Sequence, residues 1–250
     1  MRLFNEWHSA FPESTDNSIL MQKKLNKSEI SVIGAGGLGS WLLLSLVSSG
    51  IGKINVFDPD TVEISNLNRQ VLYNTADIGR KKIDILVKKL ASVNKTVIIE
   101  VFPFNIETKE QIIEYCKTSD VVVNCGDYPN VAELSDIISE GCMQLKIPHI
   151  VGGGYGGNLG IPGLTVIPNK TKSWSELRNY YKNHVDSHSG MELIKGSELV
   201  GGSMAAISGL VANFLALEII KIILGLPLGF TNQLRELNLM TLEWRTEQFL

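Results

Sequence analysis

The run Gly34-Ala35-Gly36-Gly37-Leu38-Gly39 follows the short apolar stretch Ile30-Ser31-Val32-Ile33 and opens an apolar helix pattern that continues through Val47. Strand, tight glycine turn and helix start in that order leave backbone amides free to hold an anion. Glycine serves there because the chain bends sharply and a phosphate must approach the backbone with no Cβ in the way. A second strand, Ile54-Asn55-Val56-Phe57, ends at Asp58, nineteen residues past Gly39, where a carboxylate can accept ribose hydroxyls. These pieces alone serve NAD, FAD and ATP equally. Beyond them Ser65-Asn66-Leu67-Asn68-Arg69-Gln70 sets a guanidinium among amides, and Gly79-Arg80-Lys81-Lys82 adds positive charge. A nucleoside triphosphate, whose phosphates must be held and whose departing pyrophosphate gains charge, has a use for such cations; a dinucleotide dehydrogenase has little.

The elements that must position these groups alternate regularly. The pattern predicts a helix over Gly79 to Val93, a strand over Val97 to Phe102 and a helix over Glu107 to Tyr115. A strand over Val121 to Asn124, a helix over Ala132 to Leu145 and a strand over His149 to Val151 follow. Such alternation implies a Rossmann-like α/β fold, a doubly wound, mostly parallel sheet that binds ligands at the carboxyl ends of its strands. Asp58 and Asp127 each follow a strand directly, so two distant carboxylates converge on one rim.

At these residues the chain resembles the superfamily of ubiquitin-activating enzymes and their bacterial relatives, the ThiF-like and MoeB-like adenylyltransferases. The matching pieces are the glycine run, Asp58 with Asp60, Ser65 to Gln70, Ile78-Gly79-Arg80-Lys81-Lys82, Asn124-Cys125-Gly126-Asp127, and a late Gly-rich turn into a long apolar helix. The resemblance implies that Gly34, Gly36, Gly37, Leu38, Gly39, Asp58, Asp60, Asn66, Arg69, Gln70, Lys82 and Asp127 surround ATP. It makes Arg69, Lys82 and Asp127 catalytic and gives Asp127 the Mg2+ that rides on the triphosphate. Other readings stand beside these: a salt bridge for Arg69, a solvated helix end for Lys82 with Lys81 as competitor, and a loop cap before Tyr128-Pro129 for Asp127. Arg80 reads as surface charge.

The whole chain of 250 residues is 44% hydrophobic and 20% charged, enough for one globular body with a sizeable core. A net charge of −3 gives no global attraction for nucleic acid or an acidic membrane. Cys116, Cys125 and Cys142 form no Cys-x-x-Cys pair and have no signal peptide before them, which suits a reducing cytoplasm. They read as core residues. The apolar stretch from Gly209 to Leu224, interrupted by Asn213, Glu218 and Lys221, reads as too short to span a bilayer.

The organisation expected is an N-terminal packing or dimer segment over residues 1–28, a nucleotide-binding core over 29–168, a crossover loop over 169–202, and a helix with a β-hairpin over 203–250 that completes the same domain. Phe4, Trp7 and Phe11 suit a short packed helix, and the trans-acting arginine segment of many relatives is missing there. Gly152 to Asn158 should let another chain approach closely. Where peptide-modifying relatives continue from a Pro-Gly-Lys-Thr turn into a zinc half-site, the ligand positions hold Ser173 and Glu176, so no structural zinc is expected. Trp174 to Val200, with His184, Asp186 and His188, reads as a lid bordering the substrate channel. Gly201-Gly202-Ser203 should cap a helix from Met204 to Leu224, and Leu234–Met240 and Leu242–Phe249 should pair as an antiparallel extension.

The resemblance thus implies ATP-dependent adenylation of a substrate carboxylate by a homodimer, with a peptide or small carrier protein as partner. Missing zinc ligands and the missing crossover cysteine favour a peptide-tailoring member. Sulfur-carrier adenylation of the thiamin or molybdopterin type is the alternative, followed by a tRNA-base dehydratase, a non-catalytic nucleotide-binding protein and an NAD-dependent dehydrogenase.

Overall fold

Short Val- and Ile-rich runs flanked by glycine and polar residues become strands buried on both faces, and the amphipathic stretches between them become the covering helices. The computed structural model describes residues 15–156, 159–184 and 204–248. In chain order these hold α1 (Thr15–Leu25), β1 (Glu29–Ile33), α2 (Gly37–Ser48), β2 (Lys53–Phe57), α3 (Lys82–Val93), β3 (Ile98–Phe102), α4 (Lys109–Tyr115), β4 (Val121–Asn124), α5 (Val131–Leu145) and β5 (His149–Val151). Then come β6 (Gly154–Gly156), β7 (Leu159–Ile161), β8 (Leu164–Val166), α6 (Trp174–His184), α7 (Ala205–Leu224), β9 (Gln233–Asn238) and β10 (Glu243–Gln248).

The main sheet has the order β3-β2-β1-β4-β5-β8, parallel except for β8, and a second, antiparallel sheet has the order β10-β9-β7-β6. This is the Rossmann-like fold with an antiparallel extension. Strand order reverses at β1, which pairs with β2 on one side and β4 on the other. That reversal opens a crevice at the carboxyl ends. Register brings the ends level: Ile33 stands opposite both Phe57 and Asn124, so Gly34, Asp58 and Cys125 emerge together.

Helix α2 lies against α7, and Leu42, Leu43 and Leu46 share one core with Val211, Leu215 and Ile219. Close approach is possible because α7 carries small residues; a Cβ on Gly209 would stand 3.2 Å from the Trp41 ring. On the other face α5 and β5 are joined through His149, which is fully buried. Its Nδ1 lies 3.0 Å from the Ile147 carbonyl and its Nε2 3.0 Å from Ser139 Oγ. Nδ1 therefore donates and Nε2 accepts, the neutral tautomer, and burial pushes the imidazole down to about 4. Burial likewise pushes the Cys116 thiol up to about 11 and raises Cys125 and Cys142, as expected of packing residues.

Several expected boundaries move. The helix assigned from Gly79 starts at Lys82: Gly79 has φ +82°, and Lys81 forms an isolated bridge to Thr61. The crossover segment contains a helix, α6, because Trp174 buries itself completely and ties to α5 through Asp136, which also pairs with Arg178. Ser173 and Glu176 form its capping box, each backbone amide donating to the other's side chain at 2.7 and 3.3 Å. The cap of α7 is Met204, not the preceding Gly-Gly-Ser, and the Ala205 amide donates to the Asn68 carbonyl at 3.0 Å. At 20 residues α7 is long and apolar enough to cross a bilayer, longer than its polar interruptions suggest, but half of that window is buried in the protein. The aromatic N-terminal segment, Asp186, His188 and the Gly-Gly-Ser run lie outside the described residues.

Candidate nucleotide site

The site is built where β1, β2 and β4 end. Gly34 takes φ +93°, and a Cβ there would lie 2.7 Å from the Cys125 carbonyl and the Gly126 amide, so only glycine lets the two strand ends touch. The turn is then fixed by a carboxylate. Asp58, 4% exposed, accepts from the Ala35 amide at 2.7 Å and from the Asp60 amide at 2.9 Å. Burial pushes this carboxyl up, against the opposing pull of Lys82 and of the two amides. Tyr73 donates to the Ala35 carbonyl at 2.9 Å, and its phenol is raised by burial and by the nearby Asp58 charge.

Helix α2 begins directly beyond this turn. Its N-cap, Gly36, offers no side-chain bond and no acidic residue stands in the first turn, so the amides of Gly37, Leu38 and Gly39 present their positive ends to the crevice. The Leu38 side chain faces the core, so that residue can contribute only backbone. Gln70 lies beneath, 3% exposed, with Nε2 3.6 Å from where a Gly36 Cβ would be. Its Oε1 is buried without a hydrogen-bond partner among the described residues. A buried amide so placed is incomplete without a further group.

Arg69 closes one side. Its Nη1 donates to the Ser65 carbonyl at 3.0 Å and to Asn68 Oδ1 at 3.1 Å, and Trp41 Nε1 donates to the Arg69 carbonyl at 3.1 Å. Among the described residues no carboxylate lies within ion-pair distance of it. Among those residues, then, Arg69 is held by neutral groups rather than by a salt bridge. Lys82 is buried, 2.7 Å from Asp60 and 4.0 Å from Asp58, whereas Lys81 is exposed; it is neither the solvated helix end nor interchangeable with its neighbour. Arg80 pairs with Asp77 at 3.4 Å while half exposed. Asn66 spends its Oδ1 on the Glu63 amide at 3.1 Å, a local capping role that holds the loop.

Asp127 is exposed and makes no hydrogen bond among the described residues. The capping role open to it belongs to Asn130, whose Oδ1 accepts from Glu133 at the start of α5 at 2.9 Å. The loop below is pinned: Asn124 accepts from the Gly126 amide at 3.0 Å and donates to Ser135 Oγ at 3.1 Å. Ser135 also accepts from the Gly152 amide at 3.0 Å, which links this loop to the crossover segment. Residues that sequence reasoning passed over here are Trp41, Tyr73, Ser135 and Tyr155. For Trp41 and Tyr155 the one signal is a polar-tipped side chain in a stretch otherwise apolar or glycine-rich; Tyr73 and Ser135 carry none.

An uncapped helix start, an orphaned Gln70 oxygen and a guanidinium with only neutral partners fit a nucleotide's phosphates, and one exposed carboxylate beside them fits Mg2+, which keeps waters and needs few protein ligands. Fold and site together define a doubly wound α/β protein with an anion-ready crevice at the carboxyl ends of its strands. The sequence matches the ThiF family over residues 8–249, and the chain belongs to that family. A probable molybdopterin-synthase adenylyltransferase of Porphyra purpurea is 31% identical over 223 residues, 89% of this chain and 55% of its own length. A sulfur carrier protein adenylyltransferase of Thermus thermophilus is 36% identical over 135 residues, 54% of this chain and 48% of its own. The chain thus spans about half the length of the curated relatives it matches. Among solved structures, E. coli MccB with ATP shares the fold at TM-score 0.79 and 24% identity, covering 93% of this chain and 67% of that one. PaaA shares it at TM-score 0.75 and 26% identity, covering 93% and 68%.

Proposed function

We propose that this protein adenylates a substrate carboxylate, using magnesium-ATP and releasing pyrophosphate. The observation that carries the reading is Arg69 beside the uncapped glycine turn, a guanidinium held by neutral groups and free to meet an anion. The carboxylate oxygen attacks the α-phosphorus, the bond to the bridging oxygen breaks, and pyrophosphate leaves with the electron pair. No general base is needed, because a carboxylate is ionised at neutral pH. The chain's own residues orient and stabilise: Arg69 takes phosphate oxygens as a planar fork, the amides of α2 face the same charge, and Lys82, held by Asp58 and Asp60, keeps a positive charge at the crevice wall. Asp127 would hold Mg2+, which when bound offsets phosphate charge.

As substrate we favour the C-terminal carboxylate of a peptide in a tailoring pathway. Supporting this is the likeness in fold to E. coli MccB, which has been solved with MccA, at TM-score 0.78 over 93% of this chain. A sulfur-carrier protein is the second reading, favoured by the names of the Porphyra and Thermus relatives. The test is ATP–pyrophosphate exchange with peptides bearing free C-termini, carriers ending in Gly-Gly, and small carboxylic acids, with Asp127→Ala as control. Exchange with the peptide panel, abolished in the variant, is expected. Exchange with carriers alone would move the assignment to the second reading. Full exchange in Asp127→Ala would remove that residue from the mechanism.

A further inference from the structure

The nucleotide reading leaves unexplained a tyrosine in the glycine-rich segment of the crossover. Tyr155 is the middle residue of β6, the strand at one edge of the second sheet, with Gly154 and Gly156 on either side. Its ring packs against the core that α2 and α7 share, and its hydroxyl reaches the glycine turn. A Cβ on Gly37, the first residue of α2, would lie 2.0 Å from Tyr155 Oη and 3.2 Å from Arg69 Cδ. Hydroxyl and Arg69 stem thus flank the same residue at the open end of the helix. Among the described residues the hydroxyl has no hydrogen-bond partner, although a tyrosine with an anchored ring ordinarily finds one for its O–H.

We propose that Tyr155 is a further phosphate-contacting residue, donating its phenol hydrogen to an oxygen of the nucleotide's phosphate chain beside Gly37. The hydroxyl thus stands at an uncapped helix start that the Arg69 stem also borders, and helix-start amides and guanidinium groups are partners of phosphate rather than of ribose or base. The placement also accounts for glycine at position 37, since any larger residue would displace the hydroxyl. Because β6 belongs to the glycine-rich segment that should let another chain approach closely, the same side chain joins the nucleotide to that segment. This inference rests on the nucleotide reading above.

The test is calorimetric titration of the wild-type chain and of Tyr155→Phe with magnesium-ATP and, separately, with adenosine, alongside thermal melts. Loss of a hydrogen bond to a charged acceptor should weaken ATP binding about tenfold, leave adenosine binding unchanged, and leave the melting temperature in place because the ring is retained. Unchanged ATP affinity would overturn the inference, and so would equal weakening of both ligands, which would mark a structural role. A wild-type chain that binds neither ligand would take down the nucleotide reading and this inference with it. Normal wild-type binding with an unaffected variant would remove Tyr155 alone.

Discussion

Arg69 and Lys82 show how differently two cations in one crevice can be held. Lys82 is buried against Asp58 and Asp60, so its charge is largely answered within the protein, while Arg69 has, among the described residues, only a carbonyl and an amide oxygen. The contrast separates binding from stability. Arg69→Ala is expected to weaken magnesium-ATP binding by one to two orders of magnitude while shifting unfolding free energy by less than about 1 kcal/mol, since no ion pair is broken. Arg69→Lys should recover only part of the affinity, because an ammonium lacks the planar fork. Calorimetric titration and urea denaturation of the three proteins check both halves. At this scale the sequence was informative wherever a residue acts on its nearest neighbours: the Gly34 turn and Asp58 at a strand end could be placed by spacing, whereas the choice of Lys82 over Lys81 came only with its burial against Asp60. Asn66 and Asp127 show the limit. Whether an amide or carboxylate caps the backbone or faces a ligand depends on one hydrogen bond, which residue type does not determine.

Between elements, a few buried polar groups tie the layers together. Ser135 on α5 receives Asn124 from the end of β4 and the Gly152 amide from the crossover, and Gly152, at φ +70°, leaves room for the Trp174 ring, 2.4 Å from where its Cβ would be. His149 joins β5 to α5 in the same layer, and its burial gives stability a pH dependence. The folded state holds the imidazole neutral down to about 4, whereas an unfolded histidine takes a proton near its ordinary value of 6.5. Its contribution is therefore fully present above pH 6.5 and is lost progressively as the pH falls toward 4, about 3 kcal/mol in all. His149→Gln should lack this component of the slope; urea midpoints at pH 7.5, 5.5 and 4.5 for both proteins check it, and parallel slopes would refute it. Long helices and valine-rich strands were legible because their periodicity is local. The three-residue strands β6 and β7 were not, since glycine-rich segments become strands only through partners far along the chain. Helix α6 was hidden for a related reason: its single dominant anchor, Trp174, finds Asp136 on another helix.

For the molecule as a whole, α7 is the member on which both sheets depend, packing against α2, β4, β6 and β7. Its apolar content made its burial legible, but not the means of carrying a carboxylate inside. Glu218 is fully buried, and its oxygens accept from the amides of Gly229 and Phe230 at 2.8 and 3.0 Å, from the Thr165 hydroxyl at 3.3 Å, and from Lys221 on the next turn. Apart from Lys221, which the helix itself supplies, those donors come from two places in the chain, the strand β8 made long before the helix and the turn made just after it. As the polypeptide leaves the ribosome, α7 therefore emerges with a carboxylate that lacks its two backbone donors until residues 229 and 230 have followed, and burying it short of those hydrogen bonds is costly. A chain stalled before Gly229 should keep this helix open to protease, and one stalled after the hairpin should not, as pulsed digestion of arrested ribosome complexes would show. Equal protection of the two would mean that the earlier strand suffices. The turn that follows α7 thus acts as a checkpoint on the helix it caps from behind.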